Sequence, residues 1–374
     1  MIIGLKRLRK GNNKEKFSVS VIIPARNEAL NIVDCLNSIK DIDYPTDKWE
    51  VIVVDDCSED STFKFAELFE EKIPNLKIIR ITSESKDTAP KKHAIKTAIR
   101  EAGGEIILTT DADCRPEKEW ISEIVSYYDK NTAMVVGMSP LIDNRNKDNI
   151  LRSFQFIESV SLGGLSAGSI NLGFPLTCSA RNLSYRKEVF EKIGGFGEYK
   201  SYISGDDDLL MHQIRKKTNG KIKYASTKGS VVPSIPAQSF KKFMNSRLRH
   251  ASKTVLCPLH VKIASLFLYL FNLIISIILL PLIILSILYK FFPSLPLSHP
   301  HFMMFSICFL IFLFAVYISD FMFLMTIKNK FEIKKPLKNF GKVLFIHPFY
   351  ITFFGLLGLR GKFKWKGKSY RLKK

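Results

Sequence analysis

A chain of 374 residues, 46% of them hydrophobic, can bury a full catalytic domain and still carry a further apolar region. Its net charge of +21 is uneven: residues 1–16 hold six basic and one acidic residue, and residues 328–374 hold fourteen and one. The excess flanks apolar segments and leaves the middle nearly balanced, which excludes a simple soluble enzyme and removes the case for nucleic acid.

The opening MIIGLKRLRK is too short and too interrupted for a signal peptide or a span, so residues 1–16 are expected to form a basic interfacial segment. SVSVIIP (residues 18–24) reads as a buried first strand ended by Pro24. Asn27 and Glu28 then open an amphipathic helix with Ile32, Leu36 and Ile39 on its apolar side. A second strand over 51–54 ends at Asp55 and Asp56, followed by cap-type residues 58–61 and the helix FKFAELFEEK. A third strand over 76–81, a helix over 91–101 closed by Gly103 and Gly104, and a fourth strand over 106–109 follow. This alternation predicts an α/β fold, a mainly parallel sheet with helices on both faces. From about residue 130 longer helices and irregular segments are expected, as suits an acceptor-binding half.

Three acidic clusters stand out. Asp55-Asp56 and Asp111-Ala-Asp113 each end an apolar run, and Asp206-Asp207-Asp208 lies in SGDDDLL. The carboxyl ends of parallel strands line the ligand crevice of an open α/β sheet, so these carboxylates can converge there. Two acids one residue apart suit a hard divalent cation that also bridges phosphates. Three adjacent acids repel one another, which can raise one towards base function. The six cysteines show no paired metal spacing.

SVIIPARNE, VVDDCSEDST, TDADCRP and SGDDDLL, in this order and spacing, resemble a family 2 glycosyltransferase of GT-A fold, an integral-membrane member, over residues 17–253. The resemblance implies a donor-binding half over 17–129 and an acceptor half over 130–253. It implies that Pro24, Ala25, Arg26, Glu28, Asp55 and Asp56 hold a nucleotide base, expected to be uracil, and that Lys91, with Lys92 as alternative, meets phosphate. Asp111 and Asp113 would hold Mg²⁺ or Mn²⁺, with Asp113 the more direct ligand. Asp206 aligns with the family's base while Gly205 replaces its usual Glu, which leaves Asp207 as the alternative base and Asp208 as structural. Arg249 matches the arginine of the final Gln-Xaa-Xaa-Arg-Trp element and would clamp the diphosphate, whereas Ser246 and His250 depart from it.

The remainder, residues 254–359, reads as membrane region. Spans are expected over about 263–289 and 302–327, the second carrying Asp320, with a re-entrant or interfacial segment over about 343–359 that contains His347 and Pro348. Loop 295–301 lacks Lys and Arg, while residues 328–342 and the tail 360–374 are basic. The catalytic domain and tail are therefore expected in the cytoplasm, at the cell membrane beside anionic lipid. The expected activity is inverting transfer of a sugar from a nucleotide-diphosphate donor to a lipid-linked hydroxyl. The alternatives are a processive polysaccharide synthase of the same fold and an inactive sugar-nucleotide-binding membrane protein.

Overall fold

A computed structural model describes residues 1–143, 146, 148–291 and 300–371. In chain order it contains α1 (Ile2–Lys6), β1 (Val19–Ala25), α2 (Ile32–Lys40), β2 (Trp49–Asp56), α3 (Thr62–Glu67), β3 (Leu76–Ile81), α4 (Pro90–Glu101), β4 (Ile106–Thr109), α5 (Trp120–Val125) and β5 (Thr132–Val136). Then come α6 (Ile150–Asn171), β6 (Leu183–Arg186), α7 (Lys187–Lys192), α8 (Asp208–Lys217), β7 (Lys221–Tyr224) and α9 (Phe240–Ser252). The apolar helices α10 (Leu259–Phe291), α11 (Pro300–Lys330) and α12 (Phe340–Gly358) follow, and β8 (Lys362–Trp365) and β9 (Lys368–Arg371) close the described chain.

Among the described residues the main sheet has seven strands in the order β3-β2-β1-β4-β6-β5-β7. β1, β2, β3 and β4 are parallel neighbours, while β6 runs antiparallel between β4 and β5. The central strands are apolar on both faces because both faces are covered. Val21, Ile23, Val51, Val53 and Leu108 pack with Ile32, Leu36, Ile39, Trp120 and Ile124 on one side. Their alternates Ile22, Ile52, Val54 and Ile107 pack with Ile95, Ala98 and Ile99 on the other.

Connections from β1 run first to β2 and β3, and β4 then lies on the far side of β1, so β1 and β4 bound the switch point. β1 does not end at Pro24 as the sequence suggested. It continues through Ala25, paired with Asp55 of β2, while its pairing to β4 stops at Ile22 and Thr109. Thr110 N–H donates to the Ile22 carbonyl, so the proline lies just past the last bond on that side, where its missing donor costs no ladder bond. α2 starts at Ile32 rather than at Asn27. Asn27 takes a left-handed φ of 51°, and the amides of Asn27 and Glu28 donate to the Ser58 and Thr62 hydroxyls instead of entering a helix. α3 is also shorter than its apolar run suggested, ending at Glu67 before successive turns.

α10, α11 and α12 are each long and apolar enough to cross a membrane by length and composition. Their exposed side chains include Phe267, Ile311 and Phe314. The third segment is one continuous helix with Pro348 inside it. It packs against α10, α9 and α6: a Cβ on Gly355 would meet Tyr269 of α10, and one on Gly358 would meet Ala251 of α9. Buried Glu158 of α6 accepts from the Tyr350 hydroxyl of α12 and pairs with Arg247 of α9 at 2.6 Å. α11 approaches α6 where Gly164 faces Ile327, and α1 approaches it where Gly4 faces Gly168. The N-terminal segment therefore buries Leu5 and Leu8 while Ile3 stays exposed. Of the uncharged loop and the basic tail, residues 295–299 and 372–374 lie outside the described residues.

Candidate functional site

The switch point places the first two acidic clusters at the ends of the two strands that flank β1. Asp55 and Asp56 close β2, and Asp111 and Asp113 follow the end of β4. Asp55 and Asp56 are 1% and 3% exposed. Both oxygens of Asp55 and Oδ1 of Asp56 have no hydrogen-bond donor among the described residues. Arg80 lies 3.8 Å from Asp55, and Arg26 lies 3.9 Å from Asp56 and 2.6 Å from Glu84. Burial raises the Asp56 carboxyl above the usual range, against the pull of Arg26. Buried acceptors left unmet are costly and rare, so this pair carries acceptor capacity that no described residue uses. Pro24 and Ala25 frame the same strand end, and Glu28 stands at the rim.

α4 brings the second and third clusters together. The Lys91 ammonium lies 2.7 Å from Asp111 and 2.8 Å from Asp206. Burial alone would pull this lysine down, but the two carboxylates outweigh it and hold its pKa above the ordinary value. Lys92 points elsewhere. It is 1% exposed and donates to the carbonyls of Tyr199, Tyr202 and Ser204 at 2.7, 2.8 and 3.0 Å. Burial pulls it down to about 8. It thus clasps the loop that leads into the third cluster, while Lys91 faces the acids.

The three acids of that cluster have different surroundings. Asp208 accepts from the Cys178 amide at 2.6 Å, from the Thr177 hydroxyl at 3.1 Å and from Lys253 at 2.6 Å. Asp207 caps α8 through the Asp208 amide, and its carboxylate takes Lys253 at 3.1 Å and the Ala180 amide at 3.4 Å. Burial opposes ionisation of Asp207, but Lys253 and the Asp208 amide prevail and hold it far below the usual range. Burial raises Asp208 despite Lys253. Asp206 contacts Lys91, and its side chain stays 10% exposed. Gly205 has a φ of +86°, and a Cβ there would lie 2.4 Å from Leu209 Cδ1. Both conditions demand glycine at the position where the family's glutamate was expected.

The Asp111/Asp113 pair fits a divalent cation by its donors. Magnesium commonly takes one or two protein carboxylates together with substrate phosphates. Burial and the neighbouring Asp111 push Asp113 up to about 6, an electrostatic deficit that positive charge would relieve. One Asp113 oxygen is fixed by the Ser234 hydroxyl at 3.1 Å. Among the described residues no group of three His, Cys, Asp or Glu side chains forms an all-protein cage.

Arg249 lies on α9 with its guanidinium 5.9 Å from the Trp365 ring of β8, and its charge helps to hold Asp111 low. Sequence reasoning did not assign Lys92 or Lys253 to these structural tasks, nor did it find Asn182. This buried residue donates to the carbonyls of Met138 and Ser230 and accepts from the Trp120 indole, joining both halves of the domain. Neither spacing nor charge distinguishes a lysine that grips carbonyls from one that meets phosphate.

Residues 20–194 match the family described as glycosyl transferase family 2. Glycosyltransferase AglE of Haloferax volcanii is 29% identical over 238 residues, covering 62% of this chain and 71% of AglE. Probable glycosyltransferase YdaM of Bacillus subtilis is 32% identical over 190 residues, covering 50% of this chain and 44% of YdaM. The chain thus spans less than half of that second relative. In fold it resembles the mannosyltransferase PcManGT from Pyrobaculum calidifontis, solved with GDP-Man and Mn²⁺, at a TM-score of 0.56 and 21% identity. That alignment covers 90% of this chain and 93% of the other.

Proposed function

We propose that this chain, whose residues 20–194 match glycosyl transferase family 2 and whose GT-A-like fold is followed by apolar helices long enough to span a membrane, is an inverting, membrane-bound transferase. It takes a sugar from a nucleotide-diphosphate donor, of which a UDP-sugar is the leading candidate, to a hydroxyl of a lipid-linked acceptor. The observation that carries the reading is the asymmetry of the third cluster. Asp207 and Asp208 are held by Lys253 and backbone amides, whereas among the described residues Asp206 pairs with Lys91, which it shares with Asp111. Asp206 is therefore the carboxylate positioned to accept a proton.

In this reading Asp55 and Asp56 accept N–H groups of the base beside Pro24, Ala25, Arg26 and Glu28. Lys91 and Arg249 meet the diphosphate. Asp206 removes the acceptor's proton as its oxygen attacks the anomeric carbon opposite the leaving diphosphate, which inverts that centre. Asp111 and Asp113 would hold Mg²⁺ or Mn²⁺, which when bound neutralises charge on the departing diphosphate. A lipid acceptor is supported by α12, which packs on α9 and α6 of the catalytic region as well as on α10. Basic residues 328–342 and the basic tail support a cytoplasmic catalytic domain.

The test is donor turnover by the full chain in lipid nanodiscs, with UDP-, GDP- and dTDP-sugars, each with Mn²⁺ or Mg²⁺, and mass spectrometry of the lipid products. A lipid carrying one added sugar, absent with Asp206→Asn, supports the reading. Long polymer products would favour a synthase, and nucleotide binding with no turnover of any donor would favour a binding protein.

A further inference from the structure

The basic C-terminal tail was expected to adhere to lipid, yet its described part folds back on the catalytic domain. β8 and β9 form an antiparallel hairpin whose turn carries Lys366 and Gly367. At its root Phe363 is buried, the Lys364 amide donates to Asn245 of α9 at 3.0 Å, and Trp365 lies beneath Arg249. At its tip Lys366 reaches Glu28 at 2.5 Å, and Lys368 reaches Glu84 at 2.7 Å. Glu28 stands after β1 and Glu84 after β3, so the tip bridges two rims of the crevice that holds Arg26, Asp55 and Asp56. Glu84 also binds Arg26, itself beside Asp56.

We propose that this hairpin is the outer wall of the donor site, closing over a bound nucleoside diphosphate through Lys366 and Lys368 and setting Arg249 towards the diphosphate through Trp365. The inference rests on the donor-site reading above. The two ends of the hairpin differ in strength. Its root has a buried aromatic and a backbone hydrogen bond, whereas the tip pairs are partly exposed, with Lys368 at 53% and Glu84 at 34%, and Lys366 at 25% and Glu28 at 21%. Exposed ion pairs contribute little to stability, so the tip can release and close again while the root stays fixed. The lysines bring positive charge to a crevice whose proposed ligand is an anion, and two acids hold them there. The hairpin starts just past Gly358, the last residue of α12, so the wall is tethered to the membrane region.

The hairpin's lysines make it a substrate for trypsin, which gives a readout independent of turnover. Full-length protein in nanodiscs of neutral or anionic lipid would be digested with and without UDP, GDP or dTDP plus Mn²⁺, and nucleotide binding measured in parallel by equilibrium dialysis. The nucleotide that binds should slow cleavage within residues 362–371 by about tenfold at saturation, as ligation of the closed form requires. Cleavage at the exposed Lys192 should be unchanged. Lys366→Gln with Lys368→Gln should raise donor KM about tenfold with kcat nearly constant, the signature of lost uniform binding. The paired arginine variants should restore KM. Equal cleavage with and without bound nucleotide, or protection that follows anionic lipid alone, overturns the proposal. An unchanged KM in the glutamine variant does so too. If dialysis detects no nucleotide on the wild type, the donor-site reading itself fails and this inference with it.

Discussion

Lys91 and Asp206 form an ion pair at 2.8 Å, and the same ammonium lies 2.7 Å from Asp111. One positive charge thus joins the carboxylate proposed as base to one proposed to serve the metal and diphosphate. In the proposed reaction Lys91 turns from these carboxylates to the phosphates of an incoming donor. Lys91→Met should therefore raise donor KM by about tenfold or more, since a point charge on phosphate is lost. Lys91→Arg should recover only part of it. Steady-state kinetics against donor concentration decides this.

Asp206→Asn should lower kcat by about 10²–10⁴-fold, the usual worth of a general base, and leave donor binding within a few-fold. Asp207→Asn should act differently. Neutralising Asp207 removes one of the two buried carboxylates on Lys253 and leaves Asp208, so the variant should show a lowered unfolding midpoint, by less than a fully orphaned charge would give. Turnover, dialysis and thermal unfolding on the two variants separate the roles. A fully active Asp206→Asn would assign the base elsewhere.

Asp55→Asn should weaken nucleotide binding by about 10–100-fold, because the amide replaces part of an acceptor surface with a donor. Stability should hold or rise, since a side chain with two buried oxygens that lack a hydrogen-bond donor is replaced. Titration with UDP, GDP and dTDP, alongside thermal unfolding, checks both halves of the expectation.

Burial holds Lys92 down to about 8. Between that value and the ordinary lysine value of about 10.4, the unfolded chain keeps a proton that the folded chain has released. This residue's contribution to stability should therefore rise as pH increases through that window, and stay constant below it. Lys92→Met should abolish that component of the pH profile while costing about 1–3 kcal/mol through orphaned carbonyls. Unfolding midpoints of wild type and variant from pH 7.5 to 10 give the difference.

Much of the sheet was legible because burial on both faces writes itself into sequence. The third and fourth strands coincide with their expected ranges, and the acid pairs lie at the ends of the second and fourth. Boundaries failed where long-range bonds intervene. Ser58 and Thr62 draw Asn27 and Glu28 out of a helix, and nothing within residues 27–31 announces it. The acid cluster could be located, but not divided into one acid that faces Lys91 and two that are held by Lys253, because that division is made by Lys253, 45 positions beyond Asp208. The same holds for the tail. Its lysines carry a strong compositional signal for lipid, and only tertiary pairing with Glu28 and Glu84 draws Lys366 and Lys368 to the domain.

Lys91 and Lys92 are consecutive in the first turn of α4, yet one spans two carboxylates and the other holds three carbonyls of the loop before Asp206. The start of this helix therefore works as a gauge block. Any rigid shift of it carries the phosphate-side charge and the Asp206 loop by the same displacement. A one-residue insertion before Lys91 would put Lys91 where Lys92 sits and Lys92 where His93 sits, so the carbonyl grip would keep a lysine while the place between Asp111 and Asp206 would take the inserted residue.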